Sequence, residues 1–173
     1  MLALLKDILD NREDAYARAL AAAEEDIAQT GGGWFGVGAK GSFLMLRSGG
    51  LDDPEQALPY ARAGRALLDA ALVAAAGQDT VQSHLLHFLA GCAIAGAAPH
   101  DGQLAEARAQ FEFSDMGRAG LPDWCADWCR ILLASAAMAS GDEHASALHF
   151  RHVADRDPAR AAALFECWSR RGT

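Results

Sequence analysis

The sequence predicts an all-α protein, in which antiparallel helical hairpins stack as a short α-solenoid or bundle of about seven helices. Alanine supplies 39 of the 173 residues, whereas valine, isoleucine, threonine and tyrosine are scarce. Because alanine loses no side-chain entropy in a helix, this composition favours helices. A pattern of helix, tight turn and helix also recurs along the chain. One such pair cannot bury its apolar face alone, so we expect the pairs to stack.

The N-terminal element, residues 1–30, is predicted to be one helix over residues 2–29. Its leucines, alanines and isoleucines recur at helical spacing, and its carboxylates lie on the other side. The tetrad at 10–13 resembles a capping box, so a restart of the helix there is the alternative. The glycines that follow Thr30 end the helix.

The next segment, residues 31–50, is rich in glycine and is predicted to be helical. Glycine occupies six of the eleven positions in GGGWFGVGAKG. Each glycine inside a helix costs about 1 kcal/mol relative to alanine, but glycines also allow two helices to approach closely. A pair of short strands, WFGV and SFLML, is the competing interpretation. The helix that follows has Asp53 as its N-cap and Pro54 at its first position.

Three helical hairpins and a C-terminal capping helix are predicted after the first helix. Turns near Gly49, Asp101 and Gly141 separate the two helices of each hairpin, and Pro158 begins the capping helix. These elements span residues 31–78, 79–118, 121–157 and 158–173. No linker or low-complexity tract interrupts the pattern, so residues 1–173 are interpreted as one domain.

The last hairpin resembles a tetratricopeptide repeat, because residues 127–160 span 34 residues, the period of that family. The matching positions are Leu133, Ala134, Gly141, Asp142, Phe150 and Pro158. The positions that depart from the family pattern are Arg130, Ala137 and Ser146. The two earlier hairpins match only in outline. The resemblance implies a protein or peptide partner that binds in a groove lined by the first helix of each pair.

The charge balance argues against a nucleic-acid partner. The net charge is −8 and the isoelectric point about 5.1, whereas binding to phosphates needs clustered lysine and arginine. An acidic surface instead suits a basic protein partner. The N-terminus has neither the cationic start of a signal peptide nor a sustained apolar run. We therefore expect no membrane association and a cytoplasmic protein of bacterial type, with its cysteines present as thiols.

The first candidate for chemistry is the duplicated Asp-Trp-Cys of LPDWCADWCR. Residues four apart share a helix face, so both tryptophans and both cysteines form one ridge, with Asp123 and Asp127 on the opposite edge. Packing is the favoured interpretation, because a free cysteine behaves as a small hydrophobe. The alternatives are a redox pair or a zinc site. The zinc ligands would be Cys125, Cys129, His152 or His149, and Cys167.

Histidines and glycines supply two further candidates. His84 and His87 share a helix face and could bind a metal or act as base and donor. The favoured interpretation is that one of these histidines lies at a helix interface and the other is exposed. His149 and His152 are expected on a solvated face. The GxGxxG match that begins at Gly36 is not interpreted as a nucleotide site, because it lacks the preceding strand and the βαβ context.

The leading hypothesis for function is a non-enzymatic intracellular module that binds another protein. It could be a general adaptor or a toxin-neutralising protein of the immunity type, without a cofactor or catalytic residue. The predicted groove residues are Trp34, His84, His87, Trp124 and Trp128. The residues expected in the core or groove are Trp124, Trp128, Leu133, Phe150 and Leu164. The alternatives are a helical metal- or ligand-binding protein or enzyme, and a homo-oligomer built through an exposed Trp34 and the glycine-rich face.

Overall fold

A computed structural model describes residues 2–9, 12, 14–97, 101–116 and 120–169. These residues form nine α-helices and no strand, which confirms the all-α prediction with two helices more than expected. The helices are α1 Leu2–Leu9, α2 Ala15–Thr30, α3 Trp34–Gly49, α4 Pro54–Ala75, α5 Val81–Gly96, α6 Asp101–Met116, α7 Asp123–Ala139, α8 Glu143–Ala154 and α9 Pro158–Ser169. None of the helices in this part of the chain has the length and apolar content of a bilayer span.

The single helix predicted over residues 2–29 is wrong, because two helices, α1 and α2, occupy that segment. Asp14, directly before α2, has a φ angle of 57° and lies in the left-handed region. A right-handed helix cannot continue through that backbone conformation. The alternative restart at 10–13 falls mostly on residues outside the described part of the chain.

The glycine-rich segment forms the continuous helix α3, so the helical prediction is confirmed and the competing pair of strands is wrong. The start of α4 is also confirmed. The Asp53 carboxylate accepts a hydrogen bond from the Glu55 backbone N–H at 2.9 Å, and Pro54 is the first helical residue. A local side-chain bond of this kind is encoded by a few neighbouring residues.

The helices group into two compact units, residues 1–78 and 79–173. In the first unit α2 packs against α1 and α3, and α3 packs against α4. The deeply buried side chains of this unit are Leu5, Ile8, Leu9, Ala19, Ala23, Phe43 and Leu68. The interpretation of residues 1–173 as one domain stays a prediction.

The contact between α3 and α4 is made by glycines. A Cβ atom added at Gly41 would lie 2.7 Å from both the Gly64 carbonyl oxygen and the Leu68 backbone nitrogen. A Cβ atom added at Gly64 would lie 2.6 Å from the Gly41 carbonyl oxygen. These distances are too short for any side chain, so the two backbones touch directly where the helices cross.

In the second unit α7 packs against α6, α8 and α9, while α5 packs against α6 and contacts α7. Thr80 and Ser83 form a reciprocal capping box at the start of α5. The largest fully buried side chains of this unit are Leu86, Phe88, Leu89, Ile94, Phe111, Ile131 and Leu132. A smaller cluster centred on Ile131, Val153 and Ala161 joins α7, α8 and α9.

Two of the five residues expected in the core or groove, Trp128 and Leu133, lie in the core. Trp128 and Leu133 are buried, with 3% and 1% of their surfaces exposed. Phe150 and Leu164 are partly buried against the cluster that joins α7, α8 and α9. Trp124 is half-buried at the start of α7.

Candidate functional site

The Trp-Cys ridge on α7 faces the interior of the second unit. Cys125 and Cys129 are both fully buried. The Trp124 ring meets the Phe88 ring edge to face, with 6.4 Å between their centroids. Such T-shaped contacts stabilise aromatic pairs beyond the area that they bury. The ridge therefore packs helices together. Its two thiols are buried in the unit formed by α5, α6 and α7.

Burial keeps both thiols protonated. It raises the pKa of Cys125 to about 12 and raises the pKa of Cys129 as well. The Cys129 Sγ–H also donates a hydrogen bond to the Phe111 carbonyl oxygen at 3.2 Å. The thiolate is the form that attacks disulfides and binds metals. Because both cysteines are held as thiols, neither is in the form that these reactions need.

The alternative zinc ligands are not assembled in the described part of the chain. His152 is exposed on α8, whereas Cys125 and Cys129 are buried. The side chain of Cys167 lies outside the described residues. Among the residues that are described, no group of three or more His, Cys, Asp or Glu side chains could hold a metal ion.

Asp127 was expected on the edge of α7 opposite the Trp-Cys ridge. The structure adds that this edge is not solvated at Asp127, whose side chain is only 8% exposed. Its carboxylate forms ion pairs with Arg156 and with Arg160, whose Nε lies 3.1 Å from Oδ2. The Asp127 carboxylate can be buried because two arginines neutralise its charge. Arg156 follows α8, and Arg160 lies in the first turn of α9. Helical periodicity within one helix could not reveal partners that lie about thirty residues away.

The two histidines of α5 lie against one phenylalanine of α6. The Phe113 ring stacks on His84 with 4.9 Å between centroids and lies 3.9 Å from His87. The His84 nitrogens face two acceptors: Nδ1 lies 2.9 Å from the Phe113 carbonyl oxygen, and Nε2 lies 2.7 Å from Oδ1 of Asp79. With both ring nitrogens engaged, His84 has none left to bind a metal in this arrangement.

His87 is half-buried, so the expectation of one exposed histidine in this pair is wrong. Its Nδ1 lies 2.5 Å from Oε1 of Gln110 on α6. Burial lowers the pKa of His87, and the charge of nearby His84 lowers it further, against the opposing effect of Gln110. Both histidines thus contribute polar bonds to the α5–α6 interface.

A polar network that the sequence did not reveal joins α6, α7 and α8. Arg130 forms an ion pair with Asp115, with 2.8 Å between Nη2 and Oδ2. Its Nη1 lies 3.2 Å from Nδ1 of His149. A guanidinium can only donate, so the histidine nitrogen accepts and the ring is neutral, with its proton on Nε2.

The expectation that His149 lies on a solvated face is therefore wrong. Burial lowers the pKa of His149, and the positive charge of Arg130 lowers it further. In this state Nε2 already carries a proton and Nδ1 accepts from Arg130, so neither ring nitrogen is free to act as a general base there. Arg130 stands at a position that departs from the tetratricopeptide pattern, and that departure was the available signal.

Trp34 belongs to the first unit, where it begins α3 and is half-buried. Its ring contacts Phe35 in a T-shaped arrangement at 6.1 Å. The glycine-rich face expected to build an oligomer is instead used inside the unit, because Gly36, Gly38 and Gly41 are buried. A Cβ atom at Gly36 would lie 3.1 Å from the Ile27 side chain of α2.

Comparison with protein-family models, with curated proteins and with solved structures finds no match for this chain.

Proposed function

We propose that the protein is a non-enzymatic binding module of stacked helical hairpins, similar in kind to tetratricopeptide adaptors, that recognises another protein. One observation carries this proposal. The side chains of His84, His87, His149 and Cys129 are engaged in bonds between helices, while aromatic rings of the same unit keep part of their surface exposed. The partly exposed rings are His87 on α5, Phe113 on α6 and Trp124 on α7.

Half-buried aromatic rings are suited to recognition. They are held in place by the core, which reduces the entropy lost on binding, and they offer apolar area to a partner. Trp124 is fixed by its contact with Phe88, and the His87 and Phe113 rings fix each other. Two of these positions, His87 and Trp124, belong to the predicted groove residues, and Phe113 is added to them. His84 and Trp128, which were also predicted to line the groove, are buried.

The net charge of −8 favours a basic partner, since opposite charges accelerate encounter between two proteins. A toxin-neutralising role would use that property directly, and a general adaptor would use it for selectivity. In both cases the rate of association falls as salt screens the charges.

Capture of partners from the native cell lysate, compared between the wild type and two variants, tests this proposal. Trp124→Ala should lose the partner, whereas Leu148→Ala should retain it. Leu148 is the matched control because it is an apolar side chain, 60% exposed, on α8. Circular dichroism of each variant establishes that it is folded. A partner retained equally by both variants would contradict a role for the aromatic positions.

Metal analysis of the purified protein tests the competing function. Stoichiometric zinc or iron that disappears with Cys129→Ala would favour the small metal-binding protein. The binding module requires no metal, so its partner capture should persist in a chelator.

A further inference from the structure

The outer face of α4 carries a stripe of exposed residues. Leu58 is 48% exposed and Val73 is 78% exposed, at opposite ends of the helix. Arg62, Ala66 and Asp69 lie between them and are also exposed. The inner face of the same helix is buried through Gly64, Leu68, Ala71 and Ala75. The five outer residues are called the α4 stripe below.

The α4 stripe is one continuous surface. Successive helical residues turn by about 100°, which places all five side chains within an arc of about 80°. At about 1.5 Å per residue, Leu58 and Val73 are separated by about 22 Å along the helix axis. The stripe thus has an apolar residue at each end, one charge of each sign inside them, and a small residue near the middle.

This order is symmetric about a point between Arg65 and Ala66. Leu58 and Val73 lie equally far from that point, and so do Arg62 and Asp69. When two copies of such a helix are placed antiparallel around a two-fold axis, Leu58 of one copy faces Val73 of the other, and Arg62 faces Asp69. Each contact occurs twice, as it does in any two-fold interface.

We propose that the α4 stripe is a homodimer interface, in which α4 pairs antiparallel with α4 of a second copy of this chain. The charge complementarity selects this occupant, because the arginine and the aspartate meet their opposites only in the antiparallel register. By the same symmetry Ala66 of one copy faces Arg65 of the other, and the small alanine leaves room for the arginine. The dimer interface belongs to the first unit, and the aromatic positions proposed for recognition belong to the second.

The ion pairs of the first unit are consistent with this pairing. None of the ion pairs within the described part of the chain involves Arg62. Asp69 binds Arg65 of its own helix at 2.8 Å and is 51% exposed. Its carboxylate has lone pairs for a second guanidinium, and Arg62 of the other copy would supply one.

Sedimentation equilibrium of charge-swap variants tests the dimer. Arg62→Glu places two acids opposite each other, and Asp69→Arg places two arginines opposite each other. We expect each single variant to raise the dimer dissociation constant about tenfold or more, because like charges face each other twice. An equimolar mixture of the two variants should recover the dimer as a heterodimer, since both charge pairs are then opposite in sign.

The double variant Arg62→Glu, Asp69→Arg should likewise recover the homodimer. Arg151→Glu is the matched control, because Arg151 is exposed on α8 and its reversal changes the net charge equally. That control should leave the dissociation constant unchanged. A wild-type chain that stays monomeric over the accessible concentration range would overturn the proposal. So would single variants that weaken a dimer without recovery in the mixture.

Discussion

The α3–α4 pair of the first unit and the α5–α6 pair of the second both meet at a glycine, but for different reasons. At Gly64 the neighbour is backbone, because an added Cβ atom would lie 2.6 Å from the Gly41 carbonyl oxygen. At Gly91 the neighbour is a side chain, since an added Cβ atom would lie 2.3 Å from the Phe111 ring. Glycine therefore lets two helices touch in one unit and admits an aromatic ring in the other.

The two units also differ in the residues that fill them. All six histidines and all four cysteines of the chain lie in residues 79–173, and residues 1–78 contain none. Aliphatic side chains fill the cores of both units, and Phe43 is buried in the first. The second unit adds the buried rings of Phe88, Phe111 and Trp128 and three buried thiols. The residue types that usually suggest chemistry are thus concentrated in the unit with the more aromatic core.

The largest effect is expected at the backbone contact. Gly64→Ala should lower the free energy of unfolding by about 2 kcal/mol, because overpacking outweighs the gain in helix propensity of about 1 kcal/mol. Urea denaturation followed by circular dichroism measures this change. Gly50→Ala is the control, because its added Cβ atom would be 3.7 Å from the nearest neighbour, an ordinary contact. Equal losses in the two variants would contradict a backbone contact at Gly64.

A smaller loss, about 1 kcal/mol, is expected for Gly91→Ala, and a second substitution should relieve it. Phe111→Leu removes the ring that obstructs the new methyl group, so the double variant should lose less than the sum of the single variants. In the first unit, a Cβ atom added at Gly64 would also lie 2.8 Å from Cγ of Met45. The equivalent pair, Gly64→Ala with Met45→Ala, should be close to additive, because the contacts with backbone atoms remain. If the second substitution reduced the loss of stability in both units, or in neither, the difference between a backbone contact at Gly64 and a side-chain contact at Gly91 would be contradicted.

The smallest effect concerns pH and should be confined to the second unit. Because the folded protein lowers the pKa values of His87 and His149, the unfolded chain binds protons that the folded chain does not. Stability is therefore fully present above the ordinary histidine pKa of about 6.5 and falls as the pH drops through it.

The double variant His87→Gln, His149→Gln should reduce this loss, as measured by urea denaturation between neutral and mildly acidic pH. His144→Gln serves as the control, because His144 is exposed on α8. A loss of stability on acidification that is the same in all three proteins would show that other groups cause it.

Local features of this fold could be predicted from the sequence, and features that depend on distant residues could not. The start of α4 follows from Asp53 and Pro54 because the cap forms between neighbours. The interruption before α2 was only the alternative to one continuous helix, since helical periodicity continues across a residue that adopts a left-handed backbone. The ion pairs of Asp127 and the bond between Arg130 and His149 join residues far apart in the chain, so no local pattern identifies the partner of either residue.

Thiol reactivity of the folded protein tests most directly whether the second unit uses its cysteines for packing. The Cys167→Ser variant removes the thiol whose surroundings are not described and retains the buried Cys92, Cys125 and Cys129. With an aromatic disulfide reagent at neutral pH, these three thiols should react only as fast as the protein unfolds, and completely once it is unfolded in urea. Rapid modification of Cys125 or Cys129 in the native protein would contradict the packing role and favour a reactive site.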